Sequence, residues 1–275
     1  MNIFNYVFMQ KALYISIILG ILLPLLGNVV VLKRQASSPE AMGHSSLVGV
    51  SIGLILGYNP VWISVIVCIV FACLIEILSG YIKRYKEMAT MIILSLGIGL
   101  AAVLSSFVKN GASFNSYLFG SIVAIEDNEI ILITLIFIFV ISLFLFFYHQ
   151  ICYTIIDEKG ALLDGINLKL IKFITNLLVA LVVAISARIV GTLIVSSMMI
   201  IPVACAMQLA NSYYKLVISS CFLGILYMTL GLIISYYFDL KPGGTMVLLS
   251  ITGLLSILAI NKILYIMGGK KDVSV

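Results

Sequence analysis

The feature that most limits how this chain can fold is a repeating pattern of apolar runs, each about twenty residues long, separated by short polar breaks. A helix of about 20 apolar residues crosses a bilayer, and the runs at 12–32, 38–57, 61–80, 88–108, 130–148, 170–186, 189–210, 216–238 and 245–265 predict nine such helices. Eight spans, with one run lying flat or re-entrant, fit the same pattern. The expected fold is all-α: a polytopic transmembrane helical bundle with eight or nine spans, forming a single domain over 1–275. Composition points the same way. Of the 275 residues 63% are hydrophobic and 10% charged, where a soluble domain carries about 25% charged residues. A soluble enzyme domain is excluded, and the polar stretches are too short to build an extracellular module. No small-residue cleavage site follows Met1–Lys11, so the first run is expected to stay as a span.

Charge sets the expected orientation. The net charge of +5 comes from lysines at helix ends rather than from a basic patch, so the partner is a lipid bilayer and not nucleic acid. With nine spans and an outside N-terminus, twelve of the 16 lysines and arginines fall inside, from Lys33 and Arg34 to Lys270 and Lys271. Lys11, Lys109, Arg188 and Lys241 are left outside. That places the loop 149–169 in the cytoplasm and the segment 109–129 externally. The five cysteines lie scattered in apolar runs without CxxC spacing, as small buried hydrophobes do.

Three polar groupings interrupt the apolar pattern. In Ser38-Pro39-Glu40-Ala41-Met42-Gly43-His44, the hydroxyl, the proline and the acid predict a helix N-terminus capped by Ser38. Glu40 and His44 then stack one turn apart and can grip one divalent transition metal through oxygen and nitrogen. The alternative is that Glu40 only complements the helix dipole while His44 sits near an interface. Two ligands do not complete a site, and Lys33 and Arg34 place both only one or two turns into the membrane. The second grouping, Asp157 to Ile166, starts with the acids Asp157 and Glu158, continues through Ala161 and Leu162, and stops at Gly165. It describes either a short amphipathic helix outside the bilayer or an ordinary solvated loop. In the third, Asp239 precedes the turn 240–244, where it lines an external mouth or caps the following helix.

Absences narrow the chemistry. Glu76 is the sole acid inside a span proper and lies within snorkelling reach of Lys83 and Arg84, which disfavours a proton- or sodium-coupled secondary carrier. There is no HExxH motif and no Walker A loop, so the chain is not expected to be an enzyme and does not hydrolyse ATP itself.

The segments 8–13, 32–35, 40–50, 117–122, 157–158, 190–204 and 235–245, in that order, resemble the permease subunits of bacterial ABC-type importers for zinc, manganese and iron. The likeness covers nearly the whole chain. It implies a multi-pass protein of the bacterial cell membrane that pairs with a second copy of itself, with a cytoplasmic ABC ATPase subunit and with an extracytoplasmic metal-binding protein. It also implies that no cofactor is held permanently and that the metal is transported cargo: Zn2+, or Mn2+ or Fe2+. In the family the stretch matching 40–44 usually reads Asp-Ala-Leu-Ser-His, its acid and histidine facing the metal; here Glu40 and Gly43 depart from that pattern. The likeness makes 157–166 the segment that couples to the ATPase. Zinc is favoured because 200–209 and 239–245 look most like the zinc members.

Overall fold

The computed structural model describes residues 6–82, 86–108, 117–118, 120 and 127–266. The expectations attached to Lys83 and Arg84, to Lys109 and most of the external segment, and to Lys270 and Lys271 lie outside these residues. The described chain forms α1 (Val7–Leu32), α2 (Ser38–Leu56), α3 (Pro60–Tyr81), α4 (Lys86–Ser105), α5 (Asp127–Phe146), α6 (Tyr148–Ile156), α7 (Glu158–Leu163), α8 (Leu168–Val190), α9 (Thr192–Met207), α10 (Tyr213–Phe238) and α11 (Pro242–Ile266). Helices satisfy their backbone groups internally, which is the requirement for crossing hydrocarbon.

Seven of the described helices, α1, α3, α4, α5, α8, α10 and α11, are long and apolar enough to cross a membrane. The other two expected spans differ for physical reasons. Helix α9 has only 16 residues. Helix α2 has 19 residues, but its first half carries Ser38, Glu40, His44, Ser45 and Ser46. A helix this polar is costly against lipid, and α2 is largely enclosed by protein: it packs against α3, α4, α8 and α9, and most of its side chains from Ser38 to Gly53 are buried. Its serines turn inward on their own helix. Ser45 Oγ donates to the Ala41 carbonyl at 2.7 Å, Ser46 Oγ to Gly43 at 2.8 Å and Ser51 Oγ to Leu47 at 2.9 Å.

Burial grades the helices from inside to outside. The apolar stretch of α1 is 78% buried, whereas those of α5 and α11 are 17% buried, so the latter two present Leu135, Ile138, Leu255 and Ile263 to the surroundings. Inside, α1 lies against α9 and α10 with almost no gap. A side chain at Gly27 would strike the Met199 carbonyl of α9, and one at Gly20 would approach the backbone of Ile225 in α10 at 2.8 Å. Pro24 offers no amide hydrogen within α1. Buried Asn28 ties this region together by donating to the Pro24 carbonyl and to Ser220 Oγ of α10, both at 2.7 Å.

Four boundaries depart from expectation. Helix α2 is capped by Ser37 rather than Ser38, and Ser37 makes no side-chain cap bond. Residues 148–156, expected in a loop after Tyr148, form helix α6. The break expected near Arg188 falls at Gly191, whose φ of 101° suits only glycine. Arg188 instead occupies the last turn of α8, where a cation complements the helix dipole. Asp239, expected either to cap the next helix or to line a mouth, does not cap that helix but is the left-handed residue that ends α10: its φ is 50° and its amide donates to the Ser235 carbonyl. Its exposed side chain makes no cap bond to α11.

Close packing gives a direct test. Gly27→Ala should destabilise the protein in detergent by about 2 kcal/mol or more, because the new methyl meets rigid backbone of α9. Gly80→Ala, which has nothing within 4 Å, should leave the melting temperature unchanged or raise it slightly.

Candidate metal site on the inner helix

Glu40 and His44 sit on adjacent turns of α2, about 3 Å and 9 Å from its first residue. Neighbouring glycines fix which way they face. A methyl at Gly43 would lie 3.3 Å from the Thr192 carbonyl of α9, and one at Gly97 of α4 would lie 3.4 Å from His44 Cβ. On the opposite face, Gly49 and Gly53 abut Ser64 and Pro60 of α3. With 3.6 residues per turn, Glu40 and His44 therefore point into the slot between α4 and α9. Glu40 is exposed and His44 half-buried, whereas Met42, Ser45 and Ser46 beside them are buried. The tight fit at Thr192 also gives a reason for Gly43 where the family pattern has serine: a Cβ there would push α9 outward by a few tenths of an ångström.

Among the described residues no three His, Cys, Asp or Glu side chains converge as a metal cage. One chain thus offers a carboxylate and an imidazole in an open slot, with the remaining coordination positions left to water or to another molecule. Such a site can hold a divalent cation without enclosing it, as a transported ion requires.

The second grouping is a short, firmly capped helix. Asp157 Oδ1 accepts from the Lys159 and Gly160 amides at 3.0 and 2.9 Å, capping α7. At the other end Gly165, with φ 82°, lets Ile166 N bond the Ala161 carbonyl at 3.0 Å and Gly165 N bond Leu162 at 3.2 Å, a Schellman stop. Tyr153 Oη donates to Asp164 Oδ2 at 2.6 Å, and Glu158 pairs with Lys172 of α8. Ala161 is fully buried, while Leu162 and Leu163 are 60% and 87% exposed. The helix is thus held on its inner side and presents leucines outward.

A cavity of about 550 Å³ joins the two groupings. Its wall includes Gln35 from the α1–α2 turn, Ser38 at the start of α2, Leu162 and Gly165 from the α7 region, and Glu76 of α3. Asn176 Nδ2 of α8 donates to Glu76 Oε2 at 3.2 Å. A partner for Glu76 across helices could not be read from the sequence, where only the basic residues following it in the chain stood out.

The opposite end of the bundle holds a feature that sequence spacing did not disclose. Arg188 Nε bonds Glu129 Oε1 of α5 at 3.2 Å, and its guanidinium lies 4.9 Å over the Tyr117 ring. Asn59 and Trp62 complete a pocket of about 200 Å³ there. Asp239 does not line that pocket.

With this geometry in view, comparison with known proteins identifies the family. The "Probable metal transport system membrane protein" of Treponema pallidum (strain Nichols) is 32% identical over 259 residues, covering 94% of this chain and 97% of the relative. The high-affinity zinc uptake system membrane protein ZnuB of Buchnera aphidicola subsp. Acyrthosiphon pisum is 30% identical, covering 84% and 90%. The manganese transport system membrane protein MntC of Listeria monocytogenes serovar 1/2a is 29% identical, covering 90% and 89%. Among solved structures, PsaBC from Streptococcus pneumoniae in complex with Fab superposes with a TM-score of 0.82 at 26% identity, covering 92% of this chain and 91% of that one. Residues 5–261 match the pattern of the ABC 3 transport family, and the chain belongs to that family.

Proposed function

We propose that this chain is the membrane permease subunit of an ATP-driven importer of divalent metal ions, with zinc as the favoured cargo and manganese or iron as the alternatives. The observation that carries this reading is the placement of Glu40 and His44. An ionisable pair sits on an inner helix with a polar first half and faces the side of that helix between α4 and α9, where Glu40 is exposed. A carboxylate in that position is costly against lipid and useful beside a passage for cations. Relatives named for zinc and for manganese support the cargo class and leave the choice between the two ions to experiment. Carboxylate plus imidazole suits both.

In this reading α2 and α9 also cross the membrane as inner helices, giving nine passes with the N-terminus outside. Gln35 and Ser38 border a cavity with Gly80 and Lys169, while Asn59 borders one with Glu129 and Arg188, so α2 runs between the same two ends as α3 and α8. A second copy of the chain covers the slot and adds its own Glu40 and His44, raising two donors to four, the number a tetrahedral zinc ion takes. The ATPase subunit docks under α7 through Leu162 and Leu163. Its motion reaches the start of α2 through the cavity that both line. An external metal-binding protein delivers the ion at the far end, where Asp239 is exposed.

Three outcomes test this. His44→Ala and Glu40→Gln should each lower metal uptake by the reconstituted complex more than about tenfold while leaving its melting temperature unchanged, whereas Glu40→Asp should keep most of the uptake. Normal uptake by His44→Ala would remove the site. Leu162→Ser combined with Leu163→Ser should leave the permease folded, since both side chains are exposed, but abolish ATP-driven uptake. In a cysteine-free background, Leu163→Cys should react with an impermeant thiol reagent from the cytoplasmic side only, and Leu240→Cys from the external side only.

A further inference from the structure

Beside α7 lies a second, smaller cavity, of about 240 Å³, in which Lys33 and Arg34 have no role in the transport reading. It is walled by the α1–α2 turn (Lys33, Arg34), by Thr154 of α6, by Glu87 of α4, and by Glu158 and Lys172. Its charge is unbalanced. Three cations, Lys33, Arg34 and Lys172, line it with two acids, Glu87 and Glu158, and Glu158 is paired with Lys172. The Lys33 ammonium is buried and has no hydrogen-bond partner. Burial first, and then the charge of Lys172, pulls its pKa down to about 8, against the weaker attraction of Glu158 and Glu76. A buried cation with no acceptor is among the costliest arrangements in a protein.

Arg34 adds an independent sign. It is one of two non-glycine residues with positive φ among those described, at 56°. It occupies the C′ position of a Schellman stop, in which Gln35 N bonds the Val30 carbonyl at 2.9 Å and Arg34 N bonds Val31 at 3.0 Å. Glycine fits this position without strain, and a side chain there costs on the order of 1 kcal/mol. The chain thus keeps a strained arginine and an unpaired lysine at neighbouring positions on the wall of one cavity, at the level where α1 ends.

We propose that this cavity binds a phosphate group, with Lys33 and Arg34 as its cationic ligands and Lys172 as the link from the bound group to Glu158 of α7. Basic pockets between helices at the cytoplasmic membrane face suit the phosphate of an anionic lipid, and free phosphate offers the same chemistry. At about 30 Å³ per water molecule, the volume holds a phosphate together with several waters. The bound group supplies the acceptor that Lys33 lacks and fastens the α1–α2 turn, a few residues before Glu40, to the segment that carries α7.

The full chain, purified in a neutral detergent and stripped of lipid, tests this by its melting temperature. Phosphatidylglycerol should raise it by about 2–4 °C, while phosphatidylcholine should not. An equal rise with inorganic phosphate alone would assign the site to the soluble anion. Arg34→Gly should be at least as stable as the parent without lipid, because it relieves the positive φ, yet respond to phosphatidylglycerol less than half as strongly. Lys33→Met should likewise fold, since it removes an unpaired buried charge, and should lose the response. No rise with either phosphate source, or an undiminished rise in both variants, would overturn the proposal.

Discussion

Hydrocarbon cannot solvate an ionisable side chain, and this single fact orders the bundle. Helix α2 carries Glu40, His44 and a row of serines, so it cannot lie at the edge. It is wrapped by α3, α4, α8 and α9, and its serines return their protons to their own backbone. Along its polar first half the wrapping leaves Glu40 exposed on the side between α4 and α9, which is where the acid and the imidazole face. The polar helix is thus protected by its neighbours everywhere but along the line on which a cation would be handled.

The wrapping in turn demands thin helix contacts. Gly43, Gly49 and Gly53 on α2 and Gly27 on α1 meet backbone of their neighbours directly, so the inner helices sit at close range without large side chains between them. The outer helices expose leucine, isoleucine and phenylalanine on their outward faces. The first residue of α2, Ser38, shares a cavity wall with Leu162 and Gly165 of the α7 region.

Much of this was legible in the sequence. Length and hydropathy located the long helices, and the order of acid, glycine and leucine in 157–166 described α7 with its Asp157 start and Gly165 stop. What escaped were the features set by neighbours in space. Arg188 looked like a loop charge because a charged residue usually breaks an apolar run; in the fold it stays helical, balanced by the helix end, by Glu129 and by Tyr117. Asp239 looked like a helix start because it precedes Pro242 and two glycines; its left-handed backbone makes it a helix stop. Glu76 was matched to basic residues nearby in sequence, whereas its partner Asn176 lies on another helix. The Glu40–His44 spacing was visible from the start, but the slot it faces depends on which helices crowd the other sides of α2.

The most direct test of the central claim is an anomalous-scattering map of the complete transporter loaded with zinc. The account predicts a peak in the slot between α4 and α9, within bonding distance of the Glu40 carboxylate and the His44 imidazole. A zinc ion found elsewhere in the bundle, with both side chains turned away from it, would contradict it.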